Sequence, residues 1–130
     1  MAPHLDGERI RYVGSADHAM KNALCGGALA LLHLIQCHEA FGLTIIEANA
    51  CGTPVIATAN GAVPELVQAD ETGRIVATVD DAVQAVASLG DISRARCREW
   101  VSSRFTVDLM AKGYLDVYDR ILRAAKKGSR

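Results

Sequence analysis

The sequence predicts an α/β fold, a parallel sheet flanked by helices. Ala28-Leu29-Ala30-Leu31-Leu32-His33-Leu34-Ile35 is a continuous apolar run of strand length between Gly26-Gly27 and a polar loop, as expected of a strand buried on both faces. Apolar runs of this kind alternate with segments of helical periodicity, and a glycine-bearing loop joins the first run to the helix that follows it. With 130 residues the chain suffices for one compact domain rather than two. Half of it is apolar and 22% is charged, which supports a buried core and excludes a disordered or collagen-like chain. Lys plus Arg (14) nearly balance Asp plus Glu (15), so a net charge of −1 gives no overall attraction to nucleic acid or to an anionic membrane.

In chain order, Arg9-Ile10-Arg11-Tyr12-Val13 alternates polar and apolar residues before Gly14, which predicts a short strand near a sheet edge. Asp17 is the expected N-cap of a helix from His18 to Leu24 that stops at Gly26-Gly27. After the buried strand, Thr44 is the expected cap of a helix to about Cys51, where Gly52-Thr53-Pro54 ends it and feeds a strand, Val55 to Thr58. Val63 to Val67 reads as a short helix with Pro64 in its first turn, and Gly73 to Ala77 as a further strand. Asp80 is the expected cap of a helix from Asp81 to Leu89, and Asp91 or Ser93 of one reaching Ser103. A last helix runs from Val107 to about Ala125, with Met110, Tyr114, Val117, Tyr118, Ile121 and Leu122 at helical spacing. Residues 126–130 then form a basic, frayed tail, leaving residues 1–125 as the folded unit.

The apolar stretch from Ala23 to Ile35 is too short and too interrupted for a transmembrane span, and Met1 to Gly7 lacks the pattern of a signal peptide. A cytoplasmic location is the expectation. Cys25, Cys37, Cys51 and Cys97 form no CxxC pair, which predicts reduced and mostly buried thiols. His33, Cys37 and His38 fall short of the ligand set of a zinc site, so no metal is expected. Cys97 lies on a basic helical face with Arg94, Arg96 and Arg98, and Glu65 complements the dipole of its short helix. Trp100, Phe105, Tyr114 and Tyr118 fit helix faces better than a stacking platform, and no nucleophile paired with a base is legible.

The chemical centre is the stretch from His38 to Ile56. Its Phe41-Gly42-Leu43-Thr44 segment lies at the end of a parallel strand and opens a helix, where unpaired backbone N–H groups and the positive end of the helix dipole favour a phosphate. Glu39 precedes that helix and Glu47 lies within it. Carboxylates there repel a bare phosphate but accept hydrogen bonds from sugar hydroxyls, so a diphosphate joined to sugars uses both features. On physical grounds alone, a packing glycine and generic surface carboxylates read as well.

The wording of the stretch resembles the signature of the group 1 (family 4) retaining glycosyltransferases. In these, two glutamates with seven residues between them surround Phe-Gly-Leu and are followed by Ala-x-Ala-x-Gly-Thr-Pro-Val-Ile; Glu39 and Glu47 match both acidic positions. The similarity continues through Gly61-Ala62-Val63-Pro64-Glu65-Leu66-Val67, Glu71-Thr72-Gly73 and Arg104-Phe105-Thr106, with Met110 and Tyr114. It departs at Leu34, Cys37 and Ala40, where relatives often carry Pro, Trp and Pro.

The resemblance implies that Glu47 accepts hydrogen bonds from the ribose of a nucleoside diphosphate sugar, that Glu39 holds hydroxyls of the transferred sugar, and that the N–H groups of Phe41, Gly42, Leu43 and Thr44 hold the diphosphate. Val13-Gly14-Ser15 corresponds to the base-contacting loop. The nucleotide sugar is then a donor substrate, and no cofactor is implied. The implied fold is Rossmann-like, a partial C-terminal domain of the GT-B architecture beginning at its third strand, with the acceptor-binding N-terminal domain outside these residues. An isolated chain of this kind is expected to transfer no sugar. A noncatalytic nucleotide-sugar-binding or interaction module, or a sugar-nucleotide epimerase on the same fold, stays open as an alternative. The implied gap in the sheet and the stripe on the last helix predict a homo-oligomer.

Overall fold

The computed structural model describes residues 4–128, which form ten elements. These are α1 (His18–Gly27), β1 (Leu31–His33), α2 (Leu43–Ala50), β2 (Val55–Thr58), α3 (Val63–Leu66), β3 (Gly73–Val76), α4 (Val79–Ala87), a 3-10 turn (Leu89–Asp91), α5 (Arg94–Arg104) and α6 (Val107–Gly128). The strands pair in parallel in the order β1-β2-β3, with Leu31 beside Val55 and Ile56 beside Arg74.

Central β2 divides the core, because successive side chains of a strand leave on opposite faces. Val55 and Ala57 pack with Ile45, Ala48, Val63, Leu66 and Val67 from α2, α3 and the turn after α3. Ile56 packs on the other face with Val76, Ala82, Ala85, Leu89, Ile92 and Cys97. The α/β architecture expected from the sequence is therefore present, with helices on both faces of the sheet.

Several local expectations differ. Arg9–Val13 is not a strand. The Asp6 carboxylate accepts hydrogen bonds from the amides of Glu8, Arg9 and Ile10 at 2.9, 2.7 and 2.9 Å, so these donors serve a local loop instead of a ladder, and Tyr12 is 80% exposed. The apolar run Ala28–Ile35 contributes only the three-residue edge strand β1, with Leu32 59% exposed; the doubly buried strand is β2. The helix beginning at His18 is capped by Asp17 as expected, whose side chain accepts from Met20 N at 2.8 Å, but it continues through Gly27.

Gly42, not Thr44, is the N-cap of α2. Thr78, not Asp80, caps α4: its hydroxyl accepts from Asp81 N while the Asp81 carboxylate accepts from Thr78 N, a reciprocal arrangement unavailable to Asp80. Of the two candidates for α5, Ser93 is the cap. The last helix extends through Gly128 rather than ending near Ala125; Ser129 and Arg130 lie outside the described residues. Only Cys97 is a buried cysteine, because Cys25 and Cys51 sit on half-covered helix ends and Cys37 in an exposed loop. No helix among the described residues is long and apolar enough to cross a membrane.

Two polar side chains tie these layers together. Asn49, fully buried on α2, donates from Nδ2 to Thr53 O at 2.9 Å and to Thr72 O at 3.2 Å, joining α2 to the starts of β2 and β3. Arg94, in the first turn of α5, donates to Ala28 O at 2.9 Å, Gly26 O at 2.7 Å and Thr53 Oγ1 at 2.9 Å. Its charge thus lies at the C-terminus of α1, where the helix dipole favours a cation.

Candidate functional site

Beyond β1 the chain is held down by the loop that follows β2. Thr58 Oγ1 and Asn60 Nδ2 donate to Ile35 O at 2.7 and 2.6 Å. Glu39 forms an isolated parallel bridge with Gly61, and Ala62 N donates to Glu39 O at 2.9 Å. Gly61 has φ +63°, and a Cβ there would overlap the backbone of Glu39, so this approach requires glycine. The backbone of Glu39 is consequently fixed before its side chain makes any contact.

The Glu39 carboxylate accepts from Phe41 N at 3.2 Å through Oε1, and Oε2 lies 3.2 Å from His33 Nε2. The Phe41 amide first, and then the charge of His33, hold its carboxyl below the ordinary carboxylate value against the opposing effect of desolvation. His33, which the sequence placed inside a buried strand, is thus the basic neighbour of Glu39.

Gly42 begins α2 at φ +89°, and a Cβ on it would lie 2.6 Å from Leu66 Cδ1 and 3.4 Å from Glu39 Cγ. No side chain caps this helix. The amides of Ile45 and Ile46 turn back to Gly42 O, which leaves the first amides of α2 at the positive end of its dipole with no side-chain acceptor. Among the four backbone groups expected to hold a diphosphate, Phe41 N–H is already donated to Glu39. The structure therefore brings Glu39, Phe41 and Gly42 together at one helix start, with Leu43 and Thr44 exposed just beyond.

Glu47 lies one turn further along α2 and faces α1, where its Oε1 forms an ion pair with Lys21 Nζ. Both residues line a cleft of about 560 Å³ with His18, Asn22, Gly26 and Cys51. The two glutamates share no partner: Glu39 engages His33 and Phe41, and Glu47 engages Lys21. Val13-Gly14-Ser15 occupies the exposed irregular segment before α1 and takes no part in these hydrogen bonds. A further cleft, about 620 Å³, runs over the carboxyl ends of the strands, lined by Ile35, Gln36, Thr58, Asn60, Ala77 and Thr78.

Sequence reasoning missed Lys21, Asn49 and Arg94. Two signals were available. Asn49 is a polar residue between Ala48 and Ala50 on a helix rich in apolar side chains, and Arg94 is a cation in the first turn of a helix, where the dipole disfavours it.

The family model described as "Glycosyl transferases group 1" matches residues 4–100. The chain belongs to this family. Among curated proteins, this glycosyltransferase-family chain is 32% identical over 129 residues to N-acetyl-alpha-D-glucosaminyl L-malate synthase of Bacillus anthracis, covering 93% of the chain and 33% of that enzyme. Among solved structures it is similar to sucrose-phosphate synthase from Thermosynechococcus elongatus, with a TM-score of 0.77, 29% identity and coverage of 91% and 31%. Anabaena HepE, solved with UDP-glucose, shares the fold at a TM-score of 0.75 and 20% identity, with coverage of 87% and 33%. The chain spans about a third of the length of these relatives. Its sheet and helices correspond to one part of a GT-B glycosyltransferase.

Proposed function

We propose that this chain is the nucleotide-sugar-binding part of a retaining glycosyltransferase that transfers a hexose-type sugar from a nucleoside diphosphate sugar to an acceptor held elsewhere in the enzyme. The observation that carries this reading is the start of α2, where a glycine N-cap leaves the first amides without a side-chain acceptor directly beside the backbone-clamped Glu39. The amides from Gly42 to Thr44 bind the diphosphate and stabilise the charge that develops on it as it departs. Glu39, kept ionised by Phe41 N–H and His33, accepts hydrogen bonds from the donor sugar and orients its anomeric carbon. Glu47 accepts from the ribose hydroxyls and Val13-Gly14-Ser15 borders the base. No nucleophile is assigned to this chain.

Titration calorimetry with UDP-glucose and GDP-mannose as probes tests the reading. Charge-assisted hydrogen bonds contribute about 1.5–3 kcal/mol, so Glu47→Ala weakens binding roughly ten- to a hundredfold while Glu65→Ala leaves it near the parent value. Equal affinities of parent and Glu47→Ala remove the ribose assignment. The 130-residue chain, offered either donor with candidate acceptors, is expected to release no glycoside, because these residues orient only one of two substrates. Turnover by the purified chain overturns that part.

A further inference from the structure

Glu47 does not stand alone in its cleft. Its partner, Lys21, comes from a different helix, and the two side chains are 35% and 31% exposed, so the pair is only partly screened by water. A glutamate on a helix surface samples several rotamers, and fixing one of them costs conformational entropy that a bound ligand must otherwise supply. Lys21 removes part of that cost before any ligand arrives. The ammonium engages Oε1, which leaves Oε2 and the remaining lone pair of Oε1 as acceptors toward the 560 Å³ cleft. That volume lies within the range of small-molecule sites.

We propose that Lys21 is a positioning residue of a ribose subsite: its ion pair with Glu47 fixes the carboxylate so that both the 2′- and 3′-hydroxyls of a nucleoside diphosphate donate to it. The assignment rests on the donor-binding reading above and adds to it a basis for discriminating ribose from deoxyribose. A carboxylate held in one orientation accepts from two adjacent hydroxyls at once, and a ligand lacking the 2′-hydroxyl loses one of these bonds. A freely rotating carboxylate adjusts to whichever hydroxyl is present and discriminates less.

The experiment compares UDP and GDP with their 2′-deoxy counterparts by titration calorimetry on the parent chain, Lys21→Met, Lys21→Arg, Glu47→Gln and the Lys21→Met/Glu47→Gln double variant, each checked by thermal melting. The parent is expected to prefer the ribonucleotide, Lys21→Met to reduce that preference about five- to tenfold, and Lys21→Arg to restore most of it. In the Glu47→Gln background, Lys21→Met is expected to change the preference less than about twofold, the mark of two residues acting through one contact. A structural or long-range electrostatic role weakens both nucleotides alike, so an unchanged ratio in Lys21→Met overturns the proposal. Erosion of the ratio by Lys21→Met in the Glu47→Gln background overturns it too, because Lys21 then acts on the ligand directly. A parent that binds both nucleotide types equally removes the subsite while leaving donor binding intact. A parent that binds neither removes the donor-binding reading and this proposal with it.

Discussion

Replacing Asn49 separates the polar connection between α2 and the sheet from the apolar packing around it. Its Nδ2 is bonded to Thr53 O and Thr72 O, while its Oδ1 is buried with no partner among the described residues. Thr72 O also accepts from Val55 N at 3.2 Å, so it stays bonded when Asn49 is removed, whereas no other donor among the described residues reaches Thr53 O. Asn49→Ala therefore loses the bond to Thr72 O, worth about 1 kcal/mol, and the bond to Thr53 O, which leaves that buried carbonyl unsatisfied at about 1–3 kcal/mol, a destabilisation of about 2–4 kcal/mol.

Asn49→Asp keeps the shape but, when ionised, places an acceptor against two carbonyls. Burial and those carbonyls raise the folded-state pKa of the new carboxyl above its unfolded value of about 3.9. The protonated form is then favoured in the folded state. The variant comes closest to the parent below the unfolded value, and the deficit grows as pH rises through the folded one. Urea unfolding, followed by far-UV circular dichroism and by the fluorescence of the single Trp100, measures both variants between pH 4 and 8 (roughly the range where the linkage acts). An Asn49→Ala deficit under about 0.5 kcal/mol, or an Asn49→Asp deficit that shrinks as pH rises, refutes the reasoning.

Other outcomes follow from the same geometry. Gly61→Ala displaces the backbone of Glu39 and is expected to abolish UDP-glucose binding at a temperature where circular dichroism shows the fold retained; unchanged affinity contradicts the clamp. Because the folded-state pKa of Glu39 lies below its ordinary 4.5, its stabilising effect is complete above that value and declines as pH falls through the lower folded value. The gap in urea midpoint between parent and Glu39→Gln should accordingly be flat well above the ordinary 4.5 and narrow in acid, and a gap that does not narrow as pH falls below 4.5 counts against it. The edge of β1, unpaired among the described residues, and the exposed Met110, Tyr114, Tyr118 and Ile121 of α6 are expected to drive pairing with a second copy of the chain, seen as a concentration-dependent mass in light scattering. A monomer throughout the micromolar range argues against it.

Elements whose ends are chemically marked were legible in the sequence. Asp17 and Ser93 cap their helices as expected, and Gly52-Thr53-Pro54 separates α2 from β2. Where two chemistries competed locally, the pattern misled: Arg9–Val13 alternates like a strand, but Asp6 captures its first amides, and Thr78 beats Asp80 because Asp81 completes the reciprocal bond. An apolar run also does not show how much of itself is strand, so Ala28–Ile35 read as a strand buried on both faces although only Leu31–His33 is strand and Leu32 is exposed. Glu39 and Glu47 were visible through their spacing around Phe41-Gly42-Leu43. Lys21 was not, because its relation to Glu47 is created by the packing of α1 on α2 and leaves no trace in sequence separation.

Arg94 bears on how the chain is made. Helix α1 buries none of its own residues, and its end is held through Gly26 and Ala28 by a side chain that follows them by 68 and 66 positions. At a synthesis rate of about 5–20 residues per second, roughly 3–14 seconds pass between the emergence of α1 and that of its fastener. Throughout that interval α1 is held by the Lys21–Glu47 ion pair and by Thr53 Oγ1 on Cys25 O but not yet by Arg94, whose long loop carries an entropic cost of closure. The contacts of Arg94 with the end of α1 therefore form well after α1 itself has emerged, so a chain arrested before α5 would present the end of α1 to chaperones or to neighbouring nascent chains without that tether.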